Sequence, residues 1–154
     1  MAIAILDNDV LVYIFDEIYI ANRREFEKVM EYLNLRFNEI WLPKEVKREF
    51  LKIRRRRDRL RRLMKKYTII KDCPITISEN EITLMLSSQI QRGEADAILQ
   101  TRKIGDYRRY SNRIKSIFFV SNDRPALQYA ENFGINFCPY DTLRIRMREM
   151  GVEI

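Results

Sequence analysis

Histidine is absent from this chain of 154 residues. Its absence excludes Ser-His and Cys-His nucleophile pairs, histidine acid–base pairs and histidine metal sites. Hydrolytic chemistry in this chain must therefore depend on carboxylates. Carboxylates commonly act together with oxygen-preferring cations such as Mg²⁺ or Mn²⁺.

Cysteine, glycine and long apolar runs are also scarce. Cys73 and Cys138 have neither CxxC nor zinc-ligand spacing, so we expect reduced, buried apolar residues in a cytoplasmic protein. Four glycines leave little room for a linker, and a single domain over residues 1–154 is expected. No uncharged apolar run approaches the roughly 20 residues that cross a bilayer. Asp7 and Asp9 interrupt the opening apolar stretch, which has no basic segment before it and does not resemble a signal peptide.

Apolar runs typical of strands alternate with helical patterns along the chain. The runs cover residues 3–6, 40–42, 117–120 and, more weakly, 135–138. Helix starts are indicated by Asn22 and Ser78, each followed three residues later by a glutamate. The alternation predicts a three-layer α/β/α fold around a mostly parallel, twisted sheet. Such sheets bind ligands beyond the carboxyl ends of their strands, where Asp7 and Asp9 are expected.

Basic residues dominate the segment 44–67, in a chain whose net charge is +7. We predict one long helix here, beginning after Pro43. Its apolar residues, Val46, Phe50, Ile53, Leu60, Met64 and Tyr67, follow a narrow heptad-like seam. Crowded like charges cost a helix about 0.2–0.5 kcal/mol per pair, so we interpret the segment as a site for a phosphate backbone. The residues assigned to that site are Arg54, Arg55, Arg56, Arg57, Arg59, Arg61, Arg62, Lys65 and Lys66.

Two other interpretations of this segment remain open: a solvent-exposed helix, or a seam between two subunits. A second basic stretch, residues 102–115, places Tyr107 and Tyr110 among arginines. These rings either stack on nucleic-acid bases or lie partly buried in a surface loop.

Acidic residues occur in four segments that a parallel fold brings to one edge of the sheet. Asp7 follows the first strand, Glu49 lies beside the seam, Glu94 and Asp96 open a helix, and Asp123 follows a later strand. Each residue alone is explained by a helix cap or a surface ion pair. Two carboxylates about 4 Å apart repel by about 4 kcal/mol at an effective dielectric of 20. Convergence of these acids would therefore be costly unless they are protonated or hold cations, and a bound divalent ion would remove the cost.

The segments LDNDVL, LPKEVKREF, GEADAIL and SNDRPA resemble, in order and spacing, the acidic motifs of PIN-domain nucleases, particularly the small toxin-type and archaeal ones. The resemblance assigns four metal ligands and one hydroxyl helper, namely Asp7, Glu49, Asp96, Asp123 and Ser121. Glu94 is a rival to Asp96, and Glu45 a weaker rival to Glu49. Asn8 departs from the family pattern, which often has a hydroxyl residue there, and the arginine run is also unusual.

The resemblance implies a cytoplasmic endoribonuclease that hydrolyses RNA phosphodiester bonds with Mg²⁺ or Mn²⁺. Glu49 would be a ligand or a base acting on water, and the products would carry a 5′-phosphate and a 3′-hydroxyl. A toxin-type protein would also have a small antitoxin partner and would form a homodimer.

Two alternatives belong to other functional classes. DNDVL resembles the DxDx(T/V)L signature of haloacid-dehalogenase-type phosphatases, with Asp7 as nucleophile and Asp9 as acid–base, although no convincing lysine or later acid pair follows. A non-catalytic RNA-binding module would keep the basic segment without requiring the acids.

Overall fold

The computed structural model describes residues 1–106 and 113–154. Their strands form one five-stranded sheet in the order β3-β2-β1-β4-β5, and all paired strands are parallel. The strands are β1 (Ala2–Leu6), β2 (Glu39–Leu42), β3 (Ile70–Asp72), β4 (Ser116–Ser121) and β5 (Phe137–Pro139). The predicted α/β fold with a parallel sheet is confirmed.

Helices connect the strands and flank the sheet, which gives a three-layer α/β/α arrangement. The first connection runs through α1 (Asn8–Val12), a π-helical segment (Tyr13–Ile18), α2 (Tyr19–Ala21) and α3 (Arg23–Arg36). The later helices are α4 (Lys44–Phe50), α5 (Arg55–Lys66), α6 (Glu79–Met85), α7 (Arg92–Asp106), α8 (Arg124–Asn132) and α9 (Tyr140–Glu149). None of the helices in the described residues has the length and hydropathy of a membrane span.

The first strand lies at the centre of the sheet, which explains its uninterrupted apolar sequence. β1 pairs with β2 on one side and β4 on the other, and the side chains from Ile3 to Leu6 are at most 1% exposed. A parallel strand covered on both faces has no solvent side and therefore needs no polar alternation. Leu6 pairs with Val120, so β1 and β4 end side by side.

The prediction of one helix over residues 44–67 is wrong. The helix ends at Phe50, and α5 begins at Arg55. The Arg56 guanidinium donates to the Phe50 carbonyl oxygen at 3.4 Å, and Arg57 Nε donates to the Leu51 carbonyl oxygen at 3.0 Å. These side chains satisfy carbonyl groups that a continuous helix would have used itself.

The break also interrupts the predicted seam. Ile53 is 37% exposed in the connection between the two helices. In α5, Leu60 and Leu63 are buried, whereas Met64 is only partly buried. The predicted seam is therefore divided: Val46 and Phe50 belong to α4, and Leu60 and Met64 belong to α5. Because Ile53 and Tyr67 lie outside both helices, the six residues do not form one heptad stripe.

A buried ion cluster attaches α5 to the first helical connection. Asp16, in the π-helical segment, is 2% exposed and accepts hydrogen bonds from Arg55 at 3.0 Å, Arg56 at 2.9 Å and Arg59. Burial alone would raise the pKa of Asp16, but hydrogen bonds from the three arginines lower it below its usual range. Arg56 is 8% exposed, so part of the arginine run serves the fold.

The sequence interpretation differs from the structure at three further places. Strand β3 was not predicted, and β5 begins two residues later than the predicted run at 135–138. Cys73 and Cys138, which were predicted to be buried, are free cysteines that are only partly buried. Tyr107 and Tyr110 lie outside the described residues, so the prediction for these rings stays a prediction.

Candidate active site

The carboxyl ends of β1 and β4 bring Asp7 and Ser121 together. The Asp7 backbone N–H donates to the Val120 carbonyl oxygen at 2.9 Å, which extends the strand pairing by one residue. Ser121 Oγ then donates to Asp7 Oδ2 at 2.7 Å, and both side chains are buried. Asp7 Oδ1 accepts from the Asn8 backbone N–H at 2.7 Å as the N-cap of α1. The Asp7 carboxylate is thereby held in one orientation.

Asp9 and Asp123 connect the loops that follow these two strands. Asp9 Oδ1 accepts from its neighbour Val10 at 2.7 Å, and Oδ2 accepts from the Asn122 backbone N–H at 2.9 Å. The Asp123 backbone N–H donates to Ser121 Oγ at 3.0 Å, and its carboxylate caps α8. The loop after β4 is therefore fixed against the start of α1.

The first turn of α7 contributes Glu94. The Glu94 carboxylate is partly buried, and its Oε2 has no hydrogen-bond partner among the residues that the structure describes. The charges of Asp123, Asp9 and Glu49 act on it, in that order of strength. Glu94 is therefore close to the acids that follow β1 and β4.

Gly93, in the first turn of α7, lies against α4. A Cβ atom at this position would lie 3.4 Å from Val46 Cγ2 and 3.5 Å from Glu49 Oε2, which are ordinary van der Waals distances. Glu49 therefore lies beside the first turn of α7, and an alanine at position 93 would fit in the same space.

Asp96 faces away from this group. Its Oδ2 accepts from the Glu45 backbone N–H at 2.9 Å, at the start of α4, and the side chain is 2% exposed. Burial, with a smaller contribution from the charge of Glu45, raises the pKa of Asp96. Two residues correspond to about 200° around a helix, so Glu94 and Asp96 lie on nearly opposite faces. Of these two rivals, the structure places Glu94 near Asp7.

We use the name acidic cluster for Asp7, Asp9, Glu94 and Asp123, with Glu49 at its edge. Burial is the main cause that raises the pKa of Asp7 to about 8, and the charge of Asp9 adds to it. Burial and the neighbouring carboxylates raise the pKa of Glu94 to about 7. In residues 1–106 and 113–154, none of these five acids forms a salt bridge. Their negative charge lacks a cationic counterpart there.

The acidic cluster offers the hard oxygen donors that Mg²⁺ and Mn²⁺ prefer. The unpartnered Glu94 Oε2 and the raised pKa of Asp7 fit a site that a cation would stabilise. Yet within the described ranges no three acidic or cysteine side chains are arranged to hold one metal ion. Joint coordination therefore requires rotation of carboxylate side chains toward a common point.

Basic side chains line a groove formed by α4, α5 and the end of β3. It consists of two adjoining cavities of about 380 and 440 Å³ that share Lys47, Leu51 and Asp72. We call it the basic groove; its basic lining residues are Lys44, Lys47, Arg48, Arg57, Arg61 and Lys65. Lys47, Arg48 and Arg61 are paired with Asp72, Glu45 and Asp58. Lys44, Arg57 and Lys65 form no salt bridge among the described residues, so these three are the basic groups that a polyanionic strand would meet.

The residues predicted to bind nucleic acid are distributed over different environments. Arg57, Arg61 and Lys65 line the basic groove, whereas Arg62 and Lys66 line a separate cavity beside α3. Arg55, Arg56 and Arg59 bind Asp16, and Arg54 is exposed in the turn before α5.

The sequence matches no model of a protein family, and no curated protein is significantly similar to it.

Proposed function

We propose that this protein is a divalent-metal-dependent endoribonuclease of the PIN-domain type. The main support is the acidic cluster, in which acids from separate segments lie together and lack ion-pair partners among the described residues. Burial, with a smaller contribution from the neighbouring carboxylates, raises the pKa of Asp7 to about 8 and that of Glu94 to about 7, so the charged forms of these acids are costly here. A bound cation would offset that cost.

In the proposed site, Asp7, Glu94 and Asp123 hold Mg²⁺ or Mn²⁺. When bound, the ion lowers the pKa of a water molecule and offsets negative charge on the phosphate. Ser121 orients Asp7 through their 2.7 Å hydrogen bond. Glu49, which lies beside Gly93 in the first turn of α7, would either bind the ion as well or act as a base on the attacking water. We assign the third acidic position to Glu94 because Asp96 is directed toward the start of α4.

The basic groove and the acidic cluster have different roles in this proposal, because their charges have opposite signs. The basic groove would bind the RNA backbone, and the acidic cluster, which alone would repel RNA, would hold the cation whose charge offsets this repulsion. Binding through the groove predicts a strong salt dependence, with a log–log slope of about −0.7 for each phosphate contact on a single strand.

One assay tests the proposal: incubation of purified protein with mixed structured RNAs in Mn²⁺, Mg²⁺ or EDTA. We expect cleavage with either metal ion, none in EDTA, and none by Asp7→Asn or Asp123→Asn. Glu131→Gln, which neutralises an exposed acid on α8, is the control and should cleave normally. Cleavage that survives EDTA, or equal cleavage by the two aspartate variants, would refute the proposal.

The same protein preparation distinguishes the two alternatives. A phosphatase would hydrolyse a small aryl phosphate and would be trapped by beryllofluoride on Asp7. A binding module would retain RNA equally in EDTA and would leave it intact.

A further inference from the structure

A small cavity adjoins the acidic cluster on the side of α9. Its volume is about 180 Å³, and it is lined by Asp9, Val10, Tyr13, Asn122, Tyr140 and Arg144. A water molecule occupies about 30 Å³ of the liquid, so the cavity can hold a group of several heavy atoms. Asp9 belongs both to this lining and to the acidic cluster, so the two sites are adjacent.

Tyr140, one of the residues that line this cavity, has a buried hydroxyl group. The residue is 3% exposed, and its hydroxyl oxygen has no hydrogen-bond partner in the part of the chain that the structure describes. Its ring packs edge-on against Tyr13, with centroids 5.3 Å apart. Because a buried hydroxyl without a partner costs about 1–3 kcal/mol, its presence here favours a ligand that accepts a hydrogen bond.

Arg144 adds a second donor to the lining. Its Nε is buried and has no acceptor among the described residues, whereas Nη2 lies 3.0 Å from Asp141 Oδ1. Asn122 is also fixed in place, because its Oδ1 accepts from the Asp141 backbone N–H at 3.3 Å. The lining thus combines a hydroxyl, a guanidinium and an amide, which are groups that bind phosphate oxygens.

We propose that this cavity binds a phosphate group of the RNA strand, next to the nucleotide held at the acidic cluster. The assignment to RNA rests on the proposed nuclease function. The Asp9 carboxylate would repel an anion. Its two oxygens, however, already accept hydrogen bonds from the backbone N–H groups of Val10 and Asn122. Tyr140 and Arg144 supply the donors, and they would set the position of the strand relative to the acidic cluster.

The test uses inorganic phosphate as the probe, in EDTA, so that no cleavage takes place. Binding is measured from the rise in Tm with phosphate concentration and from phosphorus NMR line widths. Tyr140→Phe and Arg144→Gln should each weaken phosphate binding about tenfold, because each loses a hydrogen bond to a charged group. Arg146→Gln, at an exposed position of the same helix, makes the same charge change and should bind phosphate normally.

Tyr140→Phe has a second expected effect that a purely structural hydroxyl would not show. Without phosphate, the variant should be as stable as the wild type or more stable, because it lacks a buried unpaired donor. With phosphate, it should gain less stability than the wild type. In RNA cleavage, both cavity variants should raise KM and also lower kcat, because the strand is then held less well relative to the acidic cluster, and Arg146→Gln should change neither.

The outcomes separate this inference from the proposed function. If the wild type does not bind phosphate, or if both cavity variants bind it as tightly as Arg146→Gln does, the cavity assignment is wrong even if RNA is cleaved. If phosphate binding depends on Tyr140 and Arg144 but RNA is never cleaved, the cavity is an anion site and the nuclease proposal fails.

Discussion

Replacing Asp7 by Asn should stabilise the metal-free protein at alkaline pH. In the folded protein, burial is the main cause that raises the pKa of Asp7 to about 8, from the ordinary value of 3.8. Between about pH 4 and pH 8 the unfolded chain releases this proton while the folded protein keeps it. Stability therefore falls as the pH rises through this range. The shift of about four pKa units, at about 1.4 kcal/mol each, sets a ceiling of about 6 kcal/mol.

We expect the measured effect to be smaller than this ceiling, because buried sites respond as if the effective dielectric were about 20. If the free energy of unfolding of Asp7→Asn exceeds that of the wild type by about 2 kcal/mol, its Tm should be about 5 °C higher for a chain of this size. The assay is thermal unfolding of wild type and Asp7→Asn in EDTA at pH 5 and pH 8. The variant should be the more stable protein at pH 8, and its Tm should depend less on pH. Added Mn²⁺ should raise the Tm of the wild type only.

Glu131→Gln is the control for the loss of one exposed acid and should follow the wild type at both pH values. The reasoning would be refuted if Asp7→Asn were less stable than the wild type at pH 8 in EDTA. The same Tm dependence on pH in the wild type and Asp7→Asn would also refute it, because the charge of Asp7 would then have no effect on the stability of the folded protein.

Three further predictions concern other parts of the molecule. Asp16→Asn should lower the free energy of unfolding by about 3–5 kcal/mol, because it leaves buried guanidinium groups without their counterion. The control Asp58→Asn, at a side chain 75% exposed, should change the free energy of unfolding by less than about 0.5 kcal/mol. Chemical denaturation measures both values. Glu94→Gln should abolish RNA cleavage while Asp96→Asn retains it, and the opposite result in a cleavage assay would restore Asp96 as the third acid. Lys65→Gln should make the log–log salt slope of RNA binding shallower by about 0.7, and an unchanged slope would remove this residue from the RNA interface.

The sheet could be predicted from sequence where strands are long and buried on both faces. β1 and β4 have uninterrupted apolar sequences because helices cover both faces of the sheet. β3 has only three residues, of which Ile70 alone is buried, so its sequence carries no recognisable pattern. Its place at the edge of the sheet depends on pairing with β2.

The choice between Glu94 and Asp96 shows where motif spacing is insufficient. Both residues stand in the first turns of one helix, and their separation predicts only that they face in different directions. Which residue faces the acidic cluster depends on how α7 packs on α4.

The arginine run illustrates a limit of composition. Its charge predicts attraction to a polyanion, but several of its side chains bind Asp16, a residue that no sequence motif had indicated. Asp16 lies ten residues after the end of β1 and about forty before its arginine partners, so only the tertiary fold brings them together.

Mn²⁺ binding, followed by electron paramagnetic resonance at pH 8, tests the central claim most directly. Binding to the wild type should be lost in Asp7→Asn and in Glu94→Gln, and it should persist in Asp96→Asn. Wild-type affinity for Mn²⁺ in Asp7→Asn would contradict the claim that the acidic cluster is a metal site.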